Sequence, residues 1–465
     1  MKKLGILLLA LTCLTCQENN NNTFITHFEK TEGLETPEYH DVINYYKELS
    51  NVYSEISVFE MGETDAGLPL HLVVYNTDGK TQLNSIKNST KNRVLINNGI
   101  HPGESDGIDA SMLLLRDIVQ NDSLKKQYQN TIISVIPVYN IGGSLNRNSH
   151  TRANQNGPTE YGFRGNTRNY DLNRDFVKQD TKNAAAFAEI FHTLDPDIFI
   201  DNHVSNGADY QYAITHLFTQ HNKLGGALGD FIETEMRPGL EQSMLQKKIP
   251  ITPYVNVWGG TPKQGWSQFY DSPRYSTGYT TLFNTFGMMV ETHMLKPYKI
   301  RVEQTYELLL SMLDFAEDRS EDIKTIRKNA IDEILKKKTY PIAFEIHHQK
   351  KPSIIQFRGY EGKIIDSKVT NGKRLTYDTS KPYSEPVNYY NEFRPTKEIT
   401  IPKAYILRQG WRRVIERLNN NQISYTQFKK DTTLVVETLH VDNYKTRTSA
   451  YEGHYLHYNT SIKID

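Results

Sequence analysis

The stretch Asn97-Asn98-Gly99-Ile100-His101-Pro102-Gly103-Glu104 constrains this chain more than any other. It follows an apolar run, Val94-Leu95-Ile96, that reads as a buried strand. It precedes Asp106 to Val119, where Ile108, Met112, Leu113, Leu115 and Ile118 recur at helical spacing. Ser105 or Asp106 is placed to cap that helix. His101 and Glu104 therefore sit in a strand-to-helix turn. Pro102 biases His101 toward extended backbone, and Gly103 admits a positive φ. Such a turn can aim an imidazole and a carboxylate at one point. A catalytic zinc site needs three protein ligands and one open position, and this turn offers two of the three. A surface turn that merely carries a His and a Glu accounts for the same residues equally well.

At 465 residues the chain is too long for one ordinary domain, so two globular parts are expected. Lys+Arg and Asp+Glu both number 54, and no basic run is long enough to suggest a nucleic-acid partner. The N-terminus is distinctive. Lys2-Lys3 is a short basic region, and Leu4 to Leu14 is an apolar run too short to span a bilayer. It ends at Thr15-Cys16, before Gln17-Glu18 and the Asn run 19–22. This reads as an export signal over residues 1–16 and a polar linker over 17–35. The segment resembles a bacterial lipoprotein signal with Cys16 as the lipidated residue, although Thr15 stands where a smaller residue is usual. A lipidated Cys16 would tether the protein to a membrane; plain secretion is the other outcome. Either way the expected location is periplasmic, outer-membrane-anchored or extracellular. Cys13 and Cys16 are the two cysteines, so the body of the chain has no thiol, and any metal site there must use His and carboxylates.

Along the chain, Pro37 to Leu49 has helical periodicity, and Ile56–Met61 and Leu70–Tyr75 read as a hairpin. Ile132 to Val138 is a second apolar strand. Strands of this kind alternating with helices predict an α/β fold, a mixed twisted sheet with helices on both faces. The segment 140–176 is long, irregular and rich in Asn, Arg and Gly, and reads as an ordered loop over the sheet edge. Ala184–Leu194 is helical, Asp197 to His203 is a strand ending in His, and Phe286 to Glu291 is a strand ending in Glu. Tyr298 to about Lys338 reads as helical. Beyond it, short strands such as Ile342–Ile346 and Thr433–Thr438 surround one helix, Trp411–Leu418. The expected division is a catalytic domain over 36–338 and a smaller β-rich accessory domain over 339–465.

In an open α/β sheet, ligands bind beyond the carboxyl ends of the strands. His101, Glu104, His203 and Glu291 all stand at such ends if the strands run parallel. Two His and a Glu make a three-ligand zinc site. Glu291 is then free as a general base for a water of lowered pKa.

With Asn173-Arg174 inside Tyr170-Asp171-Leu172-Asn173-Arg174-Asp175-Phe176, the order of these residues over about residues 36–315 resembles the M14 metallocarboxypeptidases, the zinc carboxypeptidase A type. The resemblance implies one zinc ion on His101, Glu104 and His203, with Glu291 as general base. It implies that Asn173 and Arg174 hold the free C-terminal carboxylate of a peptide substrate, a pairing that suits a bidentate guanidinium. An upstream Arg would polarise the scissile carbonyl; Arg152 matches best by position, Arg147 competes, and Arg164 and Arg168 read as solvated surface. A Tyr that closes over the substrate falls in Arg274–Tyr279, with Tyr275 preferred over Tyr279. His293, two residues past Glu291, reads as structural support, as do His150, His192 and His216. The implied activity is hydrolysis of the last peptide bond of a peptide. A related zinc amide hydrolase and a non-catalytic surface binding protein are the other readings of the same residues.

Overall fold

The computed structural model describes residues 24–465. The expected signal over 1–16, Cys16 and the first part of the linker lie outside the described residues. Eight strands form the main sheet: β1 (Ile56–Glu63), β2 (Pro69–Tyr75), β3 (Asn92–Asn97), β4 (Thr131–Ile136), β5 (Ile198–Ser205), β6 (Ile214–Phe218), β7 (Thr252–Pro253) and β9 (Phe286–His293). The two-residue β8 (Trp266–Ser267) lies elsewhere. The order across the sheet is β1-β2-β4-β3-β5-β9-β6-β7. The central strands β4, β3, β5 and β9 are parallel, and antiparallel pairs flank them. This is the expected mixed sheet, and the parallel centre is what the site needs.

Alternation along the strands covers both faces. Val94 and Ile96 of β3, Ile198 and Ile200 of β5, and Met288 and Val290 of β9 join one core cluster. Helices α1 (Tyr39–Val52), α2 (Asp106–Gln120), α4 (Arg237–Gln246) and α5 (Tyr298–Asp318) pack there. Leu95 and Phe199, pointing oppositely, meet Phe187, Ile190, Phe191 and Leu194 of α3 (Lys182–Leu194) on the other side. Each strand is apolar on both faces because each face has a helix layer over it.

Three expectations change. First, residues 24–35 are not a loose tether. Thr26 caps the short helix His27–Lys30 in a reciprocal box with Glu29. Phe28 is buried with its ring 5.9 Å from that of Tyr298, and Arg116 binds Glu29. Second, the helical stretch after Tyr298 is two helices. Arg319 leaves helical geometry (φ −107, ψ 22), and a second helix, α6 (Ser320–Ile334), follows it. That helix buries Ile323, and its Arg327 reaches Asp195 and Asp197 at 2.7 and 2.8 Å, at the entry to β5. A long-range ion pair of this kind leaves no periodic trace in the sequence. Third, Thr433–Thr438 is not a strand: Leu434, Val435 and Val436 are exposed and lack a ladder partner, and the strand begins at Leu439.

The region after 338 is β-rich, as small separate sheets. β10 (Thr339–Ile346) pairs with β13 (Phe393–Thr400), β11 (Ser353–Asp366) with β12 (Lys373–Tyr390), and β14 (Leu439–Thr446) with β15 (His457–Ile464). The helix α7 (Arg412–Asn420) stands where expected. β12 also pairs with β8 through Tyr389↔Trp266, and Trp266, Phe357, Val387 and Tyr389 share a core with Tyr210, Tyr212 and Val255.

Asp109 of α2 is fully buried and accepts hydrogen bonds from Thr36 at 2.7 Å and from Tyr298. Burial pushes its carboxyl up to about 7, and the Asp106 charge adds to the rise against those two bonds. Between pH about 4 and 7 the folded protein keeps a proton that the unfolded chain has lost. Stability should therefore decline as pH rises through that window and level off above 7, by a ceiling on the order of 4 kcal/mol. Thermal unfolding of Asp109→Asn between pH 4.5 and 8 should show a flatter dependence than the parent; an unchanged slope would remove this assignment.

Candidate active site

The site begins where β3 ends. The backbone turns at Gly99, with φ +66, and closes at Glu104 N, which donates to His101 O at 2.8 Å. Gly103 has ordinary φ; it is needed for close approach instead. A Cβ there would sit 2.7 Å from Arg152 Cδ and 3.0 Å from the Gly162 carbonyl. Ser105 is the N-cap of α2 but makes no capping bond; its hydroxyl donates to Tyr298. Asp106 pairs instead with the fully buried Arg301, at 2.9 Å. On the neighbouring strands, His203 and Glu291 face each other across the β5–β9 ladder, each two residues before the end of its strand.

His101, Glu104 and His203 converge, with one ligand atom from each within 4.8 Å of the others. His203 Nδ1 lies 3.0 Å from Glu104 Oε2, and His101 Nδ1 lies 3.2 Å from Glu104 Oε1. The far nitrogens are both taken by carboxylates. His101 Nε2 is 2.9 Å from Asp171, and His203 Nε2 is 2.9 Å from Asp201. A carboxylate on Nε2 holds the proton there and leaves the Nδ1 lone pair for a metal. His101 Nδ1 is buried and makes no hydrogen bond, since its 3.2 Å contact with Glu104 is poorly aligned. An orphaned imidazole nitrogen facing a carboxylate and a second imidazole is the donor set of a three-ligand zinc site.

Electrostatics follow the same arrangement. Burial would raise the Glu104 carboxyl, but His101, Arg152 and His203 beside it hold it well below the usual range. Burial likewise opposes the charged form of Asp171, and His101, Arg164 and Arg174 overcome it, holding that carboxyl well down. His203 is raised, because Asp201 and Glu104 outweigh its burial. Glu291 is the exception. It is raised, chiefly by burial, with Glu104 and Asp201 adding to the rise and His203 and Arg152 opposing it.

A cleft of about 900 Å³ opens over these groups. Arg152, Arg164, Asn173, Arg174, Tyr275 and Glu291 line it with the three ligands. Arg152 donates to Glu104 at 2.8 Å and to the Val204 carbonyl at 2.8 Å. Arg174 packs its guanidinium 4.4 Å from the centre of the Tyr275 ring. Tyr279 lies elsewhere, buried against His192 and Asn421. Arg147 holds the carbonyls of Thr36, Pro37 and Glu160, outside the cleft. Arg168 packs on Tyr170 and remains half exposed. His293 spends both ring nitrogens on backbone, at Ala208 O and Leu295 N. Burial drives its pKa down to about 4, so it is a neutral support.

Arg164 is half exposed, as expected of a solvated cation, but its guanidinium faces the cleft. It reaches Asp171 at 2.8 Å and lies 3.5 Å from Glu104. The loop 140–176 is irregular, so no periodicity marks which of its cations faces the cleft. Asp171 and Asp201 were also missed as partners of the imidazoles. Both had a signal: Asp201 is two residues before His203 on one face of a strand, and Asp171 sits two before Asn173 in the same short motif.

The model of the family described as zinc carboxypeptidase, M14, matches residues 42–308, more than half of the chain. No curated protein sequence matches. Among solved structures, a metallo-carboxypeptidase from Burkholderia cenocepacia is similar at 16% identity and TM-score 0.43, covering 60% of this chain and 68% of that one. A metallo-carboxypeptidase from Pseudomonas aeruginosa in complex with (2-guanidinoethylmercapto)succinic acid is similar at 11% identity and TM-score 0.44, over 60% and 68%. Carboxypeptidase A from Helicoverpa armigera is similar at 14% identity and TM-score 0.45, over 65% and 75%. The assignment rests on the family match and not on these distant likenesses. The chain belongs to the M14 family of zinc carboxypeptidases and is a metallopeptidase.

Proposed function

We propose that this protein is an exported zinc carboxypeptidase that removes the last residue of peptides with a free C-terminal carboxylate. One observation carries the reading: the cluster His101–Glu104–His203 shares a single cleft with Glu291 and with the Asn173–Arg174 pair. Export rests on the sequence of residues 1–16 alone.

His101 Nδ1, Glu104 and His203 Nδ1 would hold the zinc ion, which supplies Lewis acidity to the cleft when bound. Glu291 has the position and the raised proton affinity of a general base for an attacking water. It returns that proton to the leaving amine nitrogen. Arg152 and Arg164 bring two fixed cations to the side where the carbonyl oxygen gathers negative charge. Arg174, with Asn173, binds the terminal carboxylate through parallel hydrogen bonds. Tyr275, stacked on Arg174, closes the same end.

One stretch of the cleft wall is apolar. Met289 is two residues before Glu291 on β9 and pairs with Leu217 of β6; both line the cleft, and Phe269 packs 5.0 Å from Tyr275. Among the described residues, no charged group other than those already named lines the cleft. An apolar terminal side chain is therefore the one this wall accepts, and burying it contributes roughly 1.5–3 kcal/mol.

Glu291→Gln should lower kcat by roughly 10²–10⁴-fold while bound zinc, measured by elemental analysis, stays stoichiometric. Metal present with no hydrolysis by the unaltered protein would favour a binding role instead. Arg174→Gln should raise KM for a free-acid peptide by roughly 10–100-fold, the worth of a charge-assisted hydrogen bond, and leave the C-terminal amide unaffected. Equal rates on acid and amide by the unaltered protein would favour an amide hydrolase of another kind. In a mixed-peptide digest followed by mass spectrometry, terminal Phe and Leu should be released at least ~10-fold faster than terminal Lys or Glu.

A further inference from the structure

Residues beyond the family match reach the loop that forms the carboxylate end of the cleft. The β14–β15 hairpin is exposed along both strands, and its tip, Tyr451 to His454, touches the loop that carries Asn173 and Arg174. Arg174 Nε donates to the Tyr451 hydroxyl at 3.0 Å. The Arg274 guanidinium lies 5.8 Å from the centre of the Tyr451 ring. Asp171 N donates to the Glu452 carboxylate at 3.1 Å, and His454 lies 2.5 Å from Asp180. Gly453 has φ +76, and a Cβ there would come within 2.7 Å of the Tyr170 hydroxyl. An isolated two-stranded hairpin is marginal in water, so the tip must supply much of what holds it in place.

We infer that Tyr451 is a positioning residue for the substrate carboxylate, supplied by the C-terminal region to the site on the preceding domain. The inference rests on the reading of Arg174 as the carboxylate anchor. A guanidinium can pair with a carboxylate along its side, through Nε and one Nη, or end-on, through both Nη groups. Tyr451 occupies Nε, and Nη1 gives one hydrogen to the Asn173 carbonyl at 2.8 Å. Among the described residues, Nη2 makes no hydrogen bond. The end-on edge is thus the one left for a ligand, and its direction is set by the Tyr451 hydroxyl on one side and the Tyr275 ring beneath. Without Tyr451 the guanidinium regains rotamer freedom, and ordering it on binding carries an added entropic cost.

The test is equilibrium binding of benzoyl-glycyl-phenylalanine and of its C-terminal amide to full-length, zinc-loaded protein carrying Glu291→Gln to prevent turnover. Adding Tyr451→Phe should weaken binding of the acid about fivefold, one hydrogen bond's worth, and leave the amide within twofold. In the active protein the same change should raise KM for the acid by a similar factor with kcat within twofold. Combining Tyr451→Phe with Arg174→Gln should add nothing to Arg174→Gln alone. Unchanged acid binding in Tyr451→Phe, with Arg174→Gln still impaired, would overturn this inference and spare the anchor. If Arg174→Gln itself does not discriminate acid from amide, the anchor reading falls first. Tighter acid binding or faster turnover in Tyr451→Phe would show the tip to be an obstruction and would also overturn the inference.

Discussion

Backbone hydrogen bonds between β3, β5 and β9 decide where the three metal-binding side chains and Glu291 stand. The parallel register pairs Asn97 with Asp201 and His203 with Glu291. Because side chains alternate in a strand, a slip of one residue would turn His203 or Glu291 to the opposite face of the sheet. Register is held by what the strands bury. Val94, Ile96, Ile198, Ile200, Met288 and Val290 must all reach one helix layer, while Leu95 and Phe199 must reach the other. The apolar core therefore sets the positions of the polar groups at the strand ends. The chemistry inherits its precision from packing.

The legible residues are those whose position follows from local pattern. His101 and Glu104 lie in a turn bracketed by a clear strand and a clear helix. His203 and Glu291 lie on apolar runs with obvious ends. The two-sided sheet was legible for the same reason, since continuous apolar strands need cover on both faces. The illegible parts are those fixed by distant partners. Arg164 faces Glu104 in the cleft while Arg147 is spent on the carbonyls of Thr36, Pro37 and Glu160, although both sit in one irregular loop of similar composition. Beyond the break at Arg319, Arg327 meets Asp195 and Asp197 across more than a hundred positions of sequence. Tyr451 meets Arg174 across a separation of 277 residues. Such contacts have no period and no spacing, so a single sequence does not carry them.

The β-rich region is continuous with the walls of the cleft. β8 pairs with β12, and the Trp266 indole donates to the Tyr254 carbonyl, so the loop carrying Tyr254 and Asn256 is braced from the C-terminal side. Gln211 binds the Gly359 and Tyr383 carbonyls and fixes the segment that follows β5. The hairpin tip at Tyr451 braces the opposite end. Rigid support of this kind holds groups within the narrow tolerances that bound geometries demand.

Charge balance explains why so many carboxylates are tolerated in one buried place. Glu104, Asp171, Asp201 and Glu291 are gathered around two imidazoles, with Arg152 and Arg164 as the adjoining cations. If all four carboxyls ionise and both imidazoles stay neutral, two negative charges remain over the two guanidinium groups. Buried uncompensated charge is strongly destabilising. Raised proton affinity at Glu291 and His203 lets protons supply part of the missing positive charge. A divalent cation at the three Nδ1 and carboxylate donors would supply the same two charges directly, displacing those protons. Arg174 stands outside this balance, its charge matched only in part by Asp171 at 3.9 Å. On the proposed reading, this leaves Arg174, among the described residues of the cleft, to meet an incoming carboxylate, the charge a peptide's C-terminus carries.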